Sequence, residues 1–158
     1  MKMELSVKMQ DNEKQTEVSE DEEVLYQKMA DIVAHNPFAC YIGMELMEIT
    51  KGYARARIRL KPQFENVYGW MHGGCAFTLA DTLAGVAASV YGGHVSTLDA
   101  SMNYMRPVSD TEYLYCEAKV QRSGHKISVV RTELMDDGGK LLIDGSFTYY
   151  HLGKIEKF

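Results

Sequence analysis

Residues 73–91, GGCAFTLADTLAGVAASVY, form an apolar run that carries a single charged side chain, Asp81. The run is too long for a strand and apolar nearly all round, so it predicts a helix buried on most sides. Gly92-Gly93 ends it. A helix without a wet face cannot lie on a surface. Other elements must wrap it, and the rest of the chain has to supply them.

The flanks read as strands. After the helix, Val95 to Met105 forms one strand before Arg106-Pro107. Thr111 to Gln121 and Lys126 to Met135 form two more, joined at Ser123-Gly124. Asp136-Asp137-Gly138-Gly139 is a strong turn leading into Leu141 to His151. Before the helix, 42–60 reads as a hairpin: Ile42 to Ile49, a Lys51-Gly52 turn, then Tyr53 to Leu60 in strict alternation. Period two puts Ala54, Ala56, Ile58 and Leu60 on the buried face and Arg55, Arg57 and Arg59 on a solvated one. Pro62 to Met71 is a loop. Further upstream, Ser19-Glu20-Asp21-Glu22 matches a capping box, with acids at the positive end of the first turn. Val24, Leu25, Lys28, Met29, Ile32 and Val33 follow at near-helical spacing, and Asn36-Pro37 stops the helix. One buried helix with five or six antiparallel strands makes an α+β domain, its sheet wrapped around the helix. No internal repeat and no linker interrupts it.

At 158 residues the chain has material for one domain with a core of its own. Cys40, Cys75 and Cys116 are scattered; an odd count without a CxxC pair fits no disulfide framework and no thiolate zinc site. They read as small apolar residues in a reducing cytosol. Residues 1–23 hold three lysines and eight acids, so residues 24–158 balance at 14 charges of each sign. The formal charge of −5 therefore belongs to the leader. Residues 1–18 lack any hydrophobic period and are expected to be disordered, ahead of a single domain over residues 19–158. A neutral domain behind an acidic tail is a poor partner for nucleic acid, whose binding is dominated by phosphate neutralisation. No apolar run approaches the roughly 20 residues of a membrane span. The first residues lack the apolar core of a signal peptide, so a cytoplasmic location is expected.

Asp81 is the feature that needs a reason. Leu79, Ala80, Leu83 and Ala84 surround it in sequence, and desolvation there penalises a charge unless it is paired or useful. Burial would sharpen it as a base or nucleophile. Alternatively it holds a helix–helix contact by hydrogen bonding. At the start of the same helix, His72-Gly73-Gly74 brings bare backbone to a terminus whose free N–H groups and dipole favour negative charge. That suits an oxyanion hole for acyl transfer, although two glycines also suit a turn with unusual dihedrals. Eight residues separate Gly73 from Asp81, about 12 Å along a helix. Reacting atoms must lie roughly 3–3.5 Å apart, so one helix cannot easily serve one carbonyl with both. Two such helices, antiparallel across a two-fold axis, can. The chemistry predicts a dimer.

Asn66, five residues, His72-Gly73-Gly74, six residues and Asp81, followed by a small-residue helix, resemble the signature of PaaI-like thioesterases of the hotdog superfamily. The resemblance covers about residues 37–151, because the strand order around the helix also matches. It implies a hotdog fold and hydrolysis of an acyl-CoA thioester to acid and coenzyme A, with no cofactor beyond the coenzyme A of the substrate. It further implies carbonyl polarisation by the Gly73 N–H with help from Asn66. Asp81 of the partner subunit would attack directly or activate water. A hydroxyl on the following strand, Thr97 with Ser96 as the alternative, would orient that water. Such proteins form dimers with shared sites and commonly pair into tetramers.

Other assignments follow from the same resemblance. His72 mainly shapes the loop and, with Gly74, lines the substrate side of the helix start. Cations for the phosphates of coenzyme A come from Arg106, Arg122, His125 and Lys126. The family often has arginine or lysine where His125 stands. No ligand spacing on one element unites His35, His72, His94, His125 and His151, so no metal is expected. Phe64, Tyr68, Trp70 and Phe77 are candidates for an aryl pocket that would suit phenylacetyl-type or hydroxybenzoyl-type groups, or else they simply pack. Two rivals stand beside the thioesterase. A hotdog hydratase would carry an HxxxGxP segment or an Asp-(x)4-His pair, and neither occurs here. A non-catalytic acyl-CoA-binding module usually lacks the helical acid that Asp81 supplies.

Overall fold

The computed structural model describes residues 19–91 and 93–153; the expected disordered leader, residues 1–18, lies outside them, as does Gly92 of the expected helix stop. Helices α1 (Glu20–His35), α2 (Pro37–Ile42) and α3 (Gly73–Ser89) accompany strands β1 (Glu45–Thr50), β2 (Tyr53–Arg59), β3 (His94–Tyr104), β4 (Tyr113–Ser123), β5 (Ile127–Met135) and β6 (Leu141–Gly153). The strands form one antiparallel sheet in the order β1-β2-β4-β5-β6-β3.

The long apolar run is a helix, α3, and it packs against β2, β3, β4, β5 and β6. Its buried residues Ala76, Leu79, Ala80, Leu83, Ala84, Ala87 and Ala88 meet Ala54, Ala56, Ile58, Leu114, Ala118, Val130, Leu134 and Phe147 from the strands. Alanine on both sides lets the sheet approach closely. Leu79 and Leu83, fully enclosed, each contribute roughly 1.5–3 kcal/mol of burial.

Several expectations need correction. Asn36-Pro37 ends α1 but also begins α2, because the Asn36 Oδ1 accepts from the N–H groups of Phe38 (3.0 Å) and Ala39 (3.2 Å). Ile42 is therefore helical, and the hairpin starts at Glu45. Val24 is exposed; Met29 and Val33 carry the buried side of α1. The helix α1 starts at Glu20, with the Glu23 N–H on the Ser19 carbonyl at 3.1 Å. The Glu22 side chain, second half of the expected capping box, lies outside the described residues. Arg55, Arg57 and Arg59 do face away from the core, but as a ladder of partners rather than a bare wet face. Arg57 pairs with Glu45 at 2.7 Å and lies over the Tyr113 ring, Arg59 pairs with Glu112, and Arg55 lies over the Tyr115 ring.

At one edge of the sheet, β3 runs for 11 residues, mostly exposed, with no strand on its outer side among the described residues. A bulge interrupts its pairing with β6 between Thr97 and Asp99, and Leu98 there is exposed. No helix among the described residues is long and apolar enough to cross a membrane.

Close packing gives one stability prediction. A Cβ on Gly145 of β6 would come within 2.9 Å of Thr132 Oγ1, 3.0 Å of Met102 Cγ and 3.1 Å of the Ser101 carbonyl oxygen. Gly145→Ala is expected to destabilise by about 1–3 kcal/mol, the scale of overpacking. Thermal denaturation reads it as a lower Tm; an unchanged Tm would mean that β3 and β6 part freely here.

Candidate active site

The start of α3 is built by two side chains. His72 lies in extended backbone (φ −63°, ψ 132°), and its Nδ1 accepts from the Gly74 N–H at 2.9 Å, capping the helix. Accepting at Nδ1 leaves the ring proton on Nε2. In the loop before it, Asn66 Oδ1 accepts from the N–H groups of Tyr68 (2.9 Å) and Trp70 (3.3 Å). The carboxamide oxygen thus folds the loop, and the amide end of Asn66 remains to donate. The Gly73 N–H meets no acceptor among the described residues. Tyr104 donates to the Gly73 carbonyl at 3.1 Å and packs so closely that a Cβ at Gly73 would lie 3.2 Å from its ring. The peptide that carries the Gly73 N–H is itself held by its own carbonyl, that of His72, which accepts from the Cys75 N–H at 2.9 Å and the Ala76 N–H at 3.4 Å.

Asp81 stands eight residues further along the unbroken helix, about 12 Å away. Its apolar neighbours Leu79, Ala80, Leu83 and Ala84 turn into the core, whereas Asp81 is half-buried and lines a cavity of about 290 Å³. The expected deep desolvation is corrected accordingly. Thr97 Oγ1 donates to Asp81 Oδ1 at 2.8 Å. The Tyr149 hydroxyl lies 2.9 Å from the same Oδ1 and 2.6 Å from the Asp81 carbonyl oxygen. Both hydroxyls converge on Oδ1, and Oδ2 receives no donor among the described residues. Burial first, and then the charge of Asp81, push the Tyr149 phenol far above its usual range, so it stays a proton donor.

Tyr149 is absent from the sequence reading, and no local signal could have found it. It sits in an ordinary strand, 68 residues from Asp81, and only the β3–β6 register that sets Thr97 opposite Tyr149 brings it there. The same holds for α1, whose Met29, Ile32 and Val33 wall the cavity together with Asn36, the cap of α2. Ser96 pairs with Tyr150, and alternation turns it to the opposite face from Thr97.

The expected cations fall into two groups. Arg122, His125 and Lys126 are exposed at the β4–β5 turn, at the end of the sheet where β3 begins. Arg106 lies past the other end of β3, with one guanidinium N–H on the Leu141 carbonyl at 2.8 Å. The four expected aromatics do not form one pocket. Phe77 packs on Phe147, Tyr68 and Trp70 lie beside each other at the surface, and Phe64 joins Phe38, Tyr41 and Cys75 around a separate cavity of about 250 Å³. Burial raises the Cys75 thiol pKa, which disfavours a thiolate there. No cluster of His, Cys, Asp or Glu suited to a metal ion occurs among the described residues.

Residues 68–143 match the thioesterase superfamily. The fold is similar to that of the E. coli PaaI protein from the phenylacetic acid degradation operon, with a TM-score of 0.80 and 20% identity over 84% of this chain and 96% of that one. A conserved protein of Pseudomonas aeruginosa, PA5202, is 30% identical, covering 74% of this chain and 94% of its own, with a TM-score of 0.69. A Streptococcus mutans protein, smu.793, solved bound to acetyl CoA, has a TM-score of 0.68 and 24% identity over 71% of this chain and 90% of that one. Sequence match and wrapped helix agree: the chain belongs to the thioesterase superfamily, a family of hydrolases, and has the hotdog fold of PaaI.

Proposed function

We propose that this protein hydrolyses an acyl-CoA thioester to the free acid and coenzyme A, at sites shared between two copies of the chain. The observation that carries this reading is the clamp on Asp81: Thr97 and Tyr149 hold Oδ1 and leave Oδ2 for the substrate. The thioester carbonyl accepts from the Gly73 N–H, assisted by the Asn66 amide, which stabilises the oxyanion as it develops. Asp81 Oδ2 attacks the carbonyl carbon or takes a proton from the water that does. The C–S bond breaks as the tetrahedral intermediate collapses, coenzyme A leaves as its thiolate, and a water oxygen ends in the acid.

The 12 Å between Gly73 and Asp81 in one chain, against a reacting distance of roughly 3–3.5 Å, calls for the second copy. The unpaired β3 edge is the surface on which two copies join, and pairing of dimers into a tetramer belongs to the same reading. Arg122, His125 and Lys126 place positive charge for the coenzyme A phosphates, and Arg106 serves the Gly73 end. Acetyl CoA on the S. mutans neighbour supports coenzyme A as the carrier. A cytoplasmic location completes the reading.

Hydrolysis of a small panel of aryl and aliphatic acyl-CoA esters, followed by thiol release, tests it. Turnover of at least one member is expected. No turnover, together with clear binding of the esters, would replace the enzyme by an acyl-CoA-binding module.

A further inference from the structure

We infer that Gly85 determines the size of the acyl group that the Asp81 cavity accepts, and that this group is compact. The inference rests on the thioesterase reading and names the substrate class for that same site. Gly85 lies one turn beyond Asp81, so both line the same cavity. A glycine in the middle of a helix weakens it relative to alanine, and it asks for a reason.

The usual reasons fail at this position. Gly85 keeps ordinary helical backbone within α3. Nor is it a site of forced close approach: a Cβ there would meet nothing nearer than the Tyr149 ring at 3.5 Å, an ordinary van der Waals contact. Alanine fits. What a side chain would change is the cavity, because Gly85 and the Tyr149 ring that its Cβ would touch both line it.

The walls of that space describe its occupant. Met29, Ile32 and Val33 of α1 face Val86 of α3 and Val95 of β3, an aliphatic lining on both sides. Polar side chains share the lining: Asn36, Thr82, Ser89 and His94. Ser89 Oγ donates to the Gly85 carbonyl at 2.8 Å, and Asn36 Oδ1 caps α2. With about 290 Å³ available and a water taking roughly 30 Å³ in the liquid, the acyl group has on the order of ten heavy atoms or fewer. The cavity lies at the small end of the roughly 300–1,000 Å³ typical of ligand sites.

A series of straight-chain acyl-CoA esters from acetyl upward tests this on the wild type, Gly85→Ala and Ile32→Ala. Gly85→Ala should lower kcat/KM by about tenfold or more for the longest ester the wild type accepts, the scale of one methylene in an apolar pocket, and by several-fold less for acetyl-CoA. Its Tm should not fall. Ile32→Ala, which trims the facing wall, should shift the preference to longer chains. A Gly85→Ala enzyme with the wild-type length profile overturns the inference while the thioesterase reading stands. A wild type whose best ester carries an acyl group far larger than about ten heavy atoms overturns it too. A wild type that cleaves no coenzyme A ester overturns both.

Discussion

Replacing Asp81 with asparagine is expected to cut kcat by at least ~100-fold while KM stays within a few-fold, because an acid–base or nucleophilic group is lost and binding is not. The substitution is nearly isosteric. A carboxamide oxygen in the place of Oδ1 still accepts from Thr97 at 2.8 Å and Tyr149 at 2.9 Å, so the clamp and the fold persist. What changes is the free end, where an acceptor becomes an N–H donor that can neither attack a carbonyl nor take a proton from water. Steady-state kinetics beside a Tm measurement separates this from unfolding. Near-normal turnover by a folded variant would end the role given to Asp81.

Gly73→Pro addresses the opposite end of α3 and should cost about 10²–10³ in kcat, the measured scale for removal of one oxyanion donor. Proline is tolerated at the first position of a helix, and it requires extended backbone in the residue before it. His72 already has that backbone, with ψ at 132°. The main steric demand is that Tyr104 give by a few tenths of an ångström. Mixed with Asp81→Ala subunits, Gly73→Pro subunits should regain activity, since one of the two sites in a heterodimer then holds an intact Gly73 and an intact Asp81. Heterodimers shown to form and yet inactive would count against a shared site.

What could be read from the sequence was what repeats locally. The period-two alternation of Tyr53 to Leu60 placed Ala54, Ala56 and Ile58 in the core, and the run from Gly73 fixed the central helix within two residues of its end. Asn36-Pro37 misled because one dipeptide does two jobs: it ends α1 and caps α2. The site divides along the same line. Asn66, His72, Gly73 and Asp81 share one stretch of chain, and their spacing is legible as a pattern. Tyr149 and the α1 wall reach Asp81 only through sheet register and helix packing, which no short window encodes. The exposure of Asp81 was misjudged for a related reason. Sequence neighbours on a helix point in different directions, so leucines beside a carboxylate do not by themselves bury it.

The long bare edge of β3 bears on the life of the chain before any chemistry begins. Eleven residues of strand with no neighbour on the outer side among the described residues, and with Leu98 exposed at the bulge, offer a template to any extended segment in a crowded cell. On the proposed pairing of two copies at β3, a folded but solitary copy is the hazardous species, and raising the intrinsic stability of the domain would do nothing to shield it. On that same proposal, solubility during synthesis depends on how soon another copy arrives. Slow, dilute expression would leave more orphan edges than a burst that fills the edge as fast as it forms.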